Sequence, residues 1–322
     1  MLYLNASDME KILSLSEVVD VIEKALLIMA KKQFFMPDRF HVNHGENTLL
    51  LMPCFTKKYF GTKLVSVFPE NIKKNKPVIY GNMVLNHSDT GEAAGILDGA
   101  ELTAIRTGGV GGLGIRYLAP DKACTLAIIG AGVQGRHQAA SACTQADISE
   151  IFVFDFKEEN VELLREHIGL QHSCVKVQRV DSPLKAVENS DIVITATTST
   201  EPVIPDQKEM LKGKVFIGIG SYQPGMREFP KSLFALTDTV FVDTMVAKKE
   251  SGDLVIPLKN NWIKNEKIIE IADLVSDKVM IDKTRTETQV FKSVGMGLFD
   301  LIVAQALFEK AEKLNIGQKI ET

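Results

Sequence analysis

The sequence predicts an α/β chain in two parts: a doubly wound parallel sheet, and a smaller α+β domain whose sequence flanks it on both sides. Three observations predict this. From about Lys122 onward, short apolar runs alternate with helix-like runs, the rhythm of a parallel sheet covered on both faces. The first strand-to-helix junction, LAIIGAGVQGRHQ (126–138), carries three glycines in a fixed spacing. Before it, from Thr48 to Leu97, the texture is β-rich, with turn-forming residues between the runs.

Taken in order, SLSEVVDVIEKALLIMAKKQ has helical periodicity, with Val18, Val19, Ile22, Leu26 and Met29 on one stripe. Ser16 is the expected cap, and MPDRF lies beyond the helix end. TLLLMP, GTKLVSVFP, VIYGNMVLN and AAGIL then read as strands of an antiparallel sheet, with a turn at 86–91. LTAIRTGGVGGLGIRYLA (102–119) is helical at both ends yet holds five glycines, Gly108, Gly109, Gly111, Gly112 and Gly114. Each costs about 0.5–1 kcal/mol relative to alanine in a helix, so the segment must gain from close approach of another backbone, of packed side chains or of a ligand.

The β/α series follows. CTLAIIG, EIFVFDF, CVKVQRV, DIVITATT, KVFIGIG and TVFVD are strands, and VQGRHQAASACTQ, VELLREHIG and DSPLKAVENS are helices. FKSVGMGLFDLIVAQALFEKAEKL (291–314) reads as one long amphipathic helix. The expected division is 1–119 with 290–322, and 120–289.

Within this frame the glycine spacing acquires chemistry. Gly130-x-Gly132-x-x-Gly135 between a strand and a helix is the Rossmann-type dinucleotide turn. The first glycine reverses the chain, the second admits a pyrophosphate to the backbone, and the third lets helix pack on strand. Val133 and Gln134 open the helix whose N-terminus faces that anion. Asp155 ends the second strand, 25 residues after Gly130, where a carboxylate accepts the ribose hydroxyls and repels a 2′-phosphate. NAD is therefore the expected cofactor, NADH being preferred and NADPH possible. Thr195 and Thr197, and Gly220 and Ser221, end the later strands, where ligands of open α/β sheets collect.

Composition excludes other classes. The 322-residue chain has a formal net charge of -4, against the basic excess of a nucleic-acid binder. No apolar run is long enough to span a membrane, and the N-terminus lacks the layout of a secretory signal. Cys54, Cys124, Cys143 and Cys174 form no C-x-x-C pair, which suits a reducing cytoplasm. His41 and His44 have H-x-x-H spacing without a third ligand, so no metal site is expected.

The chain resembles the ornithine cyclodeaminase/mu-crystallin family along its whole length. The segments that carry the likeness are LMP (51–53), TKLVSVFPEN (62–71), LTAIRTGG (102–109), YLAP (117–120), IIGAGVQ (128–134), TEPVI (200–204), GSYQPGMREF (220–229), KESGDL (249–254) and TQVFKSVGM (288–296). The resemblance implies a homodimer, with one domain for the dinucleotide and one for substrate binding and dimerisation. It also implies that Arg39, Lys63 and Arg106 bind the carboxylate of an amino-acid-like substrate, with Lys63 catalytic, and adds Thr107 to the cofactor contacts. Forked and point-charge cations suit a carboxylate, and Lys63 lies in an apolar strand where its ammonium needs an anion or a task.

Two positions depart from the cyclodeaminase pattern. Leu50 stands where those enzymes carry a glutamate, and Tyr222 where they carry an aspartate. Neither can hold a distal ammonium group. The expectation is an NAD(P)H-dependent reductase of a small cyclic imine carboxylate, with Δ1-pyrroline-2-carboxylate going to L-proline. The alternatives are an ornithine cyclodeaminase, an alanine or other amino-acid dehydrogenase, and a mu-crystallin-like nucleotide- or small-molecule-binding protein.

Overall fold

Alternating apolar positions and tight turns build the first of two compact units, Met1–Arg106 with Met296–Thr322; the second is Thr107–Gly295. The computed structural model describes residues 1–284 and 287–321. In the first unit β1 (Leu2–Leu4) leads into α1 (Ala6–Ile12) and α2 (Leu15–Ala30). There follow β2 (Phe34–Phe35), β3 (Phe40–His44), β4 (Asn47–Thr56), β5 (Tyr59–Val67), β6 (Ile79–His87) and β7 (Ala93–Asp98). The sheet order is Gln318–Lys319, β1, β7, β6, β5, β4, β2, with β3 also on β4.

Helix α2 begins two residues earlier than Ser16 suggests. Ser14 is its cap: its hydroxyl accepts from the Glu17 amide, and Glu17 returns a carboxylate to the Ser14 amide at 2.8 Å. The Ser-x-x-Glu box satisfies two otherwise unpaired donors, which a cap at Ser16 cannot do. Val18, Val19, Ile22 and Leu26 are buried as their spacing requires, and Met29 is half-buried.

The second unit is entered within α3 (Gly99–Leu118), a continuous helix despite its glycines. A Cβ on Gly111 would stand 1.7 Å from Gln138 Oε1, and one on Gly114 2.7 Å from the Phe291 ring. Close packing of the second half of α3 therefore accounts for Gly111 and Gly114. Next come β8 (Thr125–Ile129), α4 (Val133–Gln145), β9 (Glu150–Phe154), α5 (Glu158–Gln171), β10 (Lys176–Arg179) and α6 (Pro183–Glu188). The sheet is completed by β11 (Ile192–Thr195), β12 (Val215–Gly218), β13 (Val240–Val242), β14 (Ile268–Glu270) and β15 (Gln289–Lys292). Its order is β10-β9-β8-β11-β12-β15-β13-β14, and every neighbouring pair is parallel. All residues of β11, β12 and β13 are buried, as in a sheet covered on both faces. The order reverses between β8 and β11, the crevice where such sheets take ligands.

The C-terminal segment corrects one expectation. Residues 291–314 are not a single amphipathic helix: β15 ends at Lys292, and the helix runs from Gly297 to Leu314. Asp243 Oδ2 accepts from the Ser293 hydroxyl and the Val294 and Gly295 amides, and Gly295 has φ +74, so the chain turns there. The helix beyond is buried along most of its length, from Gly297 through Ala304. The units accordingly divide at 106/107 and 295/296 rather than at 119/120 and 289/290, because half of α3 and all of β15 pack within the second unit.

Candidate functional site

In the first unit the site is built on β5. Lys63 lies opposite Met52 on β4 and Met83 on β6, and on a period-2 strand it shares its buried face with Gly61 and Tyr59. An ammonium in that place requires an anion. It has one: Lys63 Nζ lies 2.9 Å from Asp300 Oδ1 and donates to Thr103 Oγ1 at 3.0 Å. The same Asp300 oxygen accepts from Arg106 Nε at 3.0 Å. Lys63, Arg106 and Asp300 are all buried.

Arg39, half-buried before β3, adds a third positive charge whose field reaches Lys63. Burial pushes the Lys63 ammonium down to about 8, assisted by Arg106 and Arg39, while Asp300 opposes the fall. Lys63 and Arg106 thus share one carboxylate, a formal excess of one positive charge. Asp300 Oδ2 has no hydrogen-bond partner among the described residues. A buried cationic excess favours an anion, and a lysine titrating near 8 can hold or release a proton at physiological pH.

Leu50 pairs with Val65 on β5, two residues from the Met52–Lys63 pair, and so lies on the Lys63 face. That face has a leucine where a carboxylate would anchor a second amine. Tyr222, in the second unit, is 44% exposed.

In the second unit each glycine of the turn has a distinct geometric reason. Gly130 has φ +94, and a Cβ there would come 2.7 Å from Ala196 O. At Gly135 a Cβ would come 2.0 Å from Gly130 O, so helix and strand approach closely. At Gly132 a Cβ would meet nothing within 4 Å. That open backbone, at the N-terminus of α4 and without a side-chain cap, is the cradle a pyrophosphate needs. Val133 is exposed beside it, and the buried Gln134 Oε1 has no partner among the described residues.

Asp155 is fixed by three donors: Ala131 N at 2.7 Å on Oδ2, and Lys157 N at 2.8 Å and Asn160 Nδ2 at 3.1 Å on Oδ1. With Ala131 on Oδ2, that oxygen retains a lone pair for a ribose hydroxyl. The Thr107 and Thr195 hydroxyls are buried without partners among the described residues, as polar groups awaiting a ligand would be. The residues present therefore fit a dinucleotide.

Thr197, Gly220 and Ser221 are differently employed. The amide and hydroxyl of Thr197 donate to Glu228 Oε1, and the Gly220 and Ser221 amides donate to Glu228 Oε2. The Ser221 hydroxyl donates to Met226 O, 2.7 Å away, and lies 2.8 Å from Ser251 Oγ. These groups shape the turns they occupy. Sequence reasoning passed over Asp300, Glu228, Asp253 and Lys292, each fully buried. The signal available was the one used for Lys63: a lone charge in an apolar run, as in GLFDLIV and QVFKSV.

The second unit's fold is that of a dinucleotide-binding protein, and the first unit carries a buried cationic cluster of Lys63 and Arg106 on Asp300. A model of the ornithine cyclodeaminase/mu-crystallin family matches residues 1–315, and the chain belongs to that family. It is 32% identical over 328 residues to a Δ1-pyrroline-2-carboxylate reductase of Bacillus cereus, covering 100% of both chains. Among solved structures, it is similar to Thermococcus litoralis Δ1-pyrroline-2-carboxylate reductase in complex with NADH and L-proline. That match has a TM-score of 0.92, 31% identity and coverage of 99% of this chain and 100% of that one. It is also similar to an archaeal alanine dehydrogenase dimer with bound NAD, with a TM-score of 0.90 and 25% identity, covering 100% and 99% respectively.

Proposed function

We propose that the protein is an NADH-dependent reductase of a small cyclic imine carboxylate, converting Δ1-pyrroline-2-carboxylate to L-proline. The observation that carries this is the buried cluster of Lys63 and Arg106 on one Asp300 oxygen, with Arg39 beside it, which leaves a cationic excess for a substrate carboxylate. Full-length similarity to the Bacillus and Thermococcus reductases supports the same reaction.

Arg39 and Arg106 hold the substrate carboxylate. Among the described residues Arg106 meets Asp300 through Nε, so the terminal nitrogens of its fork serve the substrate. Lys63 donates a hydrogen bond, and its proton goes to the imine nitrogen as the C=N bond is reduced. An ammonium near 8 is matched to that task. When bound, NADH supplies the hydride that the imine carbon receives, leaving NAD+. Gly130, Gly132, Val133, Gln134 and Gly135 cradle the pyrophosphate, and Asp155 holds the adenine-side ribose. Thr107 and Thr195 offer their unpartnered hydroxyls to the cofactor. Thr197, Gly220 and Ser221 form the turns around it.

An imine nitrogen already in the ring needs no distal anchor, which accords with Leu50 on the Lys63 face. The protein acts as a homodimer: Phe35, Phe40, Val42, Leu49 and Phe55 share one face of the first unit's sheet and leave an apolar patch exposed there, which a second copy covers. The four unpaired cysteines suit a cytoplasmic enzyme. No helix among the described residues is long and apolar enough to cross a membrane.

The test is a substrate panel with purified protein. Pyrroline-2-carboxylate or its six-membered analogue consumes NADH; L-ornithine with catalytic NAD releases no ammonia; pyruvate with ammonium is a poor substrate. Ammonia release matched by proline formation restores the cyclodeaminase, efficient pyruvate amination restores the dehydrogenase, and NADH binding without turnover on any of these restores the binder.

A further inference from the structure

The second unit buries a lysine of its own. Lys292 ends β15 fully buried, with Nζ 3.4 Å from Asp253 Oδ2 and 3.8 Å from Glu228 Oε2. Asp253 Oδ1 accepts from the Glu228 and Phe229 amides at 2.7 and 2.8 Å and so fixes where the glutamate begins. The Glu228 carboxylate then reaches two separate turns. Oε1 takes the Thr197 amide at 2.8 Å and its hydroxyl at 2.9 Å; Oε2 takes the Gly220 amide at 2.8 Å and the Ser221 amide at 3.2 Å.

These turns follow β11 and β12, whose ladder ends at the pair Thr195↔Gly218. Beyond that pair, Glu228 takes over the tie between the two chains. The fit leaves no slack: a Cβ on Gly220 would lie 2.0 Å from Thr197 O and 2.5 Å from Glu228 Oε1. Burial raises the Glu228 carboxyl above its ordinary value, and Lys292 and the Thr197 donors oppose that rise. Four donors on one carboxylate are the environment of an ionised group.

We propose that Glu228 is a positioning residue of the cofactor site, a buried clasp that holds the turns after β11 and β12 at the spacing the nicotinamide-ribose end of the dinucleotide requires, with Lys292 and Asp253 keeping the clasp in place. This rests on the dinucleotide reading above and adds a residue to it. Ligands of open α/β sheets collect at the carboxyl ends of strands, and such a site works only if its supporting groups are locked beforehand.

The test is Glu228→Gln, read by NADH fluorescence titration, which needs no turnover, and by steady-state kinetics. The amide nitrogen must face one of the two donor pairs, so one turn is released. NADH binding weakens about tenfold to a hundredfold, the loss of one or two charge-assisted hydrogen bonds. kcat falls with it, while KM for the imine, set by Arg39, Lys63 and Arg106, changes by less than about twofold. Glu228→Asp, one methylene shorter, reaches a single turn and gives an intermediate loss. Thr197→Val weakens NADH binding in the wild-type background but not further in Glu228→Gln, because both act through one contact.

If Glu228→Gln does not fold, Glu228→Asp and Thr197→Val decide. Variants that fold with a lowered Tm but bind NADH and turn over like wild type overturn the positioning role and leave the reductase reading intact. A wild-type protein that fails to bind NADH overturns both.

Discussion

Asp300→Asn changes one charge and almost no volume, and it strikes the centre of the first unit's cluster. Asp300 Oδ1 lies 2.9 Å from Lys63 Nζ and 3.0 Å from Arg106 Nε. At an effective dielectric of about 20, each contact is worth about 5–6 kcal/mol of gross attraction. Removing one partner of a buried pair costs a net of about 3–5 kcal/mol, because the charge left behind stays desolvated.

Asp300 is also what opposes the burial that lowers the Lys63 ammonium to about 8. Without it, Lys63 deprotonates at lower pH. One pKa unit corresponds to about 1.4 kcal/mol, so retaining a third of the lost interaction moves the lysine by about one unit. The assay is kcat/KM for pyrroline-2-carboxylate with NADH, from about pH 6 to about pH 10. In wild type the activity falls as pH rises past about 8, where Lys63 loses its proton. In Asp300→Asn the same limb lies about one unit lower or more.

Stability moves with pH in the opposite sense. The folded lysine titrates below the unfolded one, so between about 8 and the ordinary lysine value of 10.5 the unfolded chain binds more protons, and stability rises with pH across that window. In the variant the window opens at lower pH. An alkaline limb that coincides in wild type and variant refutes the reasoning and removes Lys63 as the proton source.

The remaining predictions concern the second unit. NADH is preferred to NADPH in kcat/KM, and Asp155→Ser narrows the ratio about tenfold or more, the scale of one charge-assisted hydrogen bond; a tenfold NADPH preference in wild type removes Asp155 from the ribose. Gly111→Ala, whose Cβ would stand 1.7 Å from Gln138 Oε1, destabilises the fold by about 1–3 kcal/mol in denaturant titration. Gly132→Ala, with nothing within 4 Å of its Cβ, keeps Tm near wild type but weakens NADH binding. Equal Tm losses in the two alanine variants would contradict the division between packing glycine and cradle glycine.

From β8 to β13 the strands of the second unit were legible, because strands buried on both faces announce themselves as apolar runs, and α4 fills the range Val133–Gln145 its pattern suggests, whereas β14 and the short helices around it were not. The glycine turn was legible because its three positions obey three different steric demands. The break before the last helix was not. A strand of Gln-Val-Phe-Lys followed by Ser-Val-Gly has no period that separates it from a helix, and the turn depends on Asp243, some 50 residues earlier. The start of α2 was misplaced by two residues because either serine can cap, and only the Glu17 return bond decides. The same long-range dependence hid Asp300: its partners lie 237 and 194 residues away, at separations no local pattern reports.

The two buried lysines separate a site from a strut. Burial does not distinguish them, since both Lys63 and Lys292 are essentially inaccessible and both face carboxylates. Charge balance does. Around Lys63 two buried cations, Lys63 and Arg106, share one carboxylate oxygen of Asp300, and the excess of positive charge suits the proposed substrate carboxylate. Around Lys292 two carboxylates face one cation, and backbone or hydroxyl donors occupy three of their four oxygens. That cluster has no cationic excess to draw an anion, and its two atoms without a hydrogen bond among the described residues, Lys292 Nζ and Asp253 Oδ2, lie 3.4 Å apart and face each other. Its effect on chemistry passes through the turns it holds. A cluster with carboxylates in excess suits a positioning role and one with cations in excess suits an anion, which is why Glu228→Gln should alter NADH affinity while Asp300→Asn should move the pH limb of imine reduction.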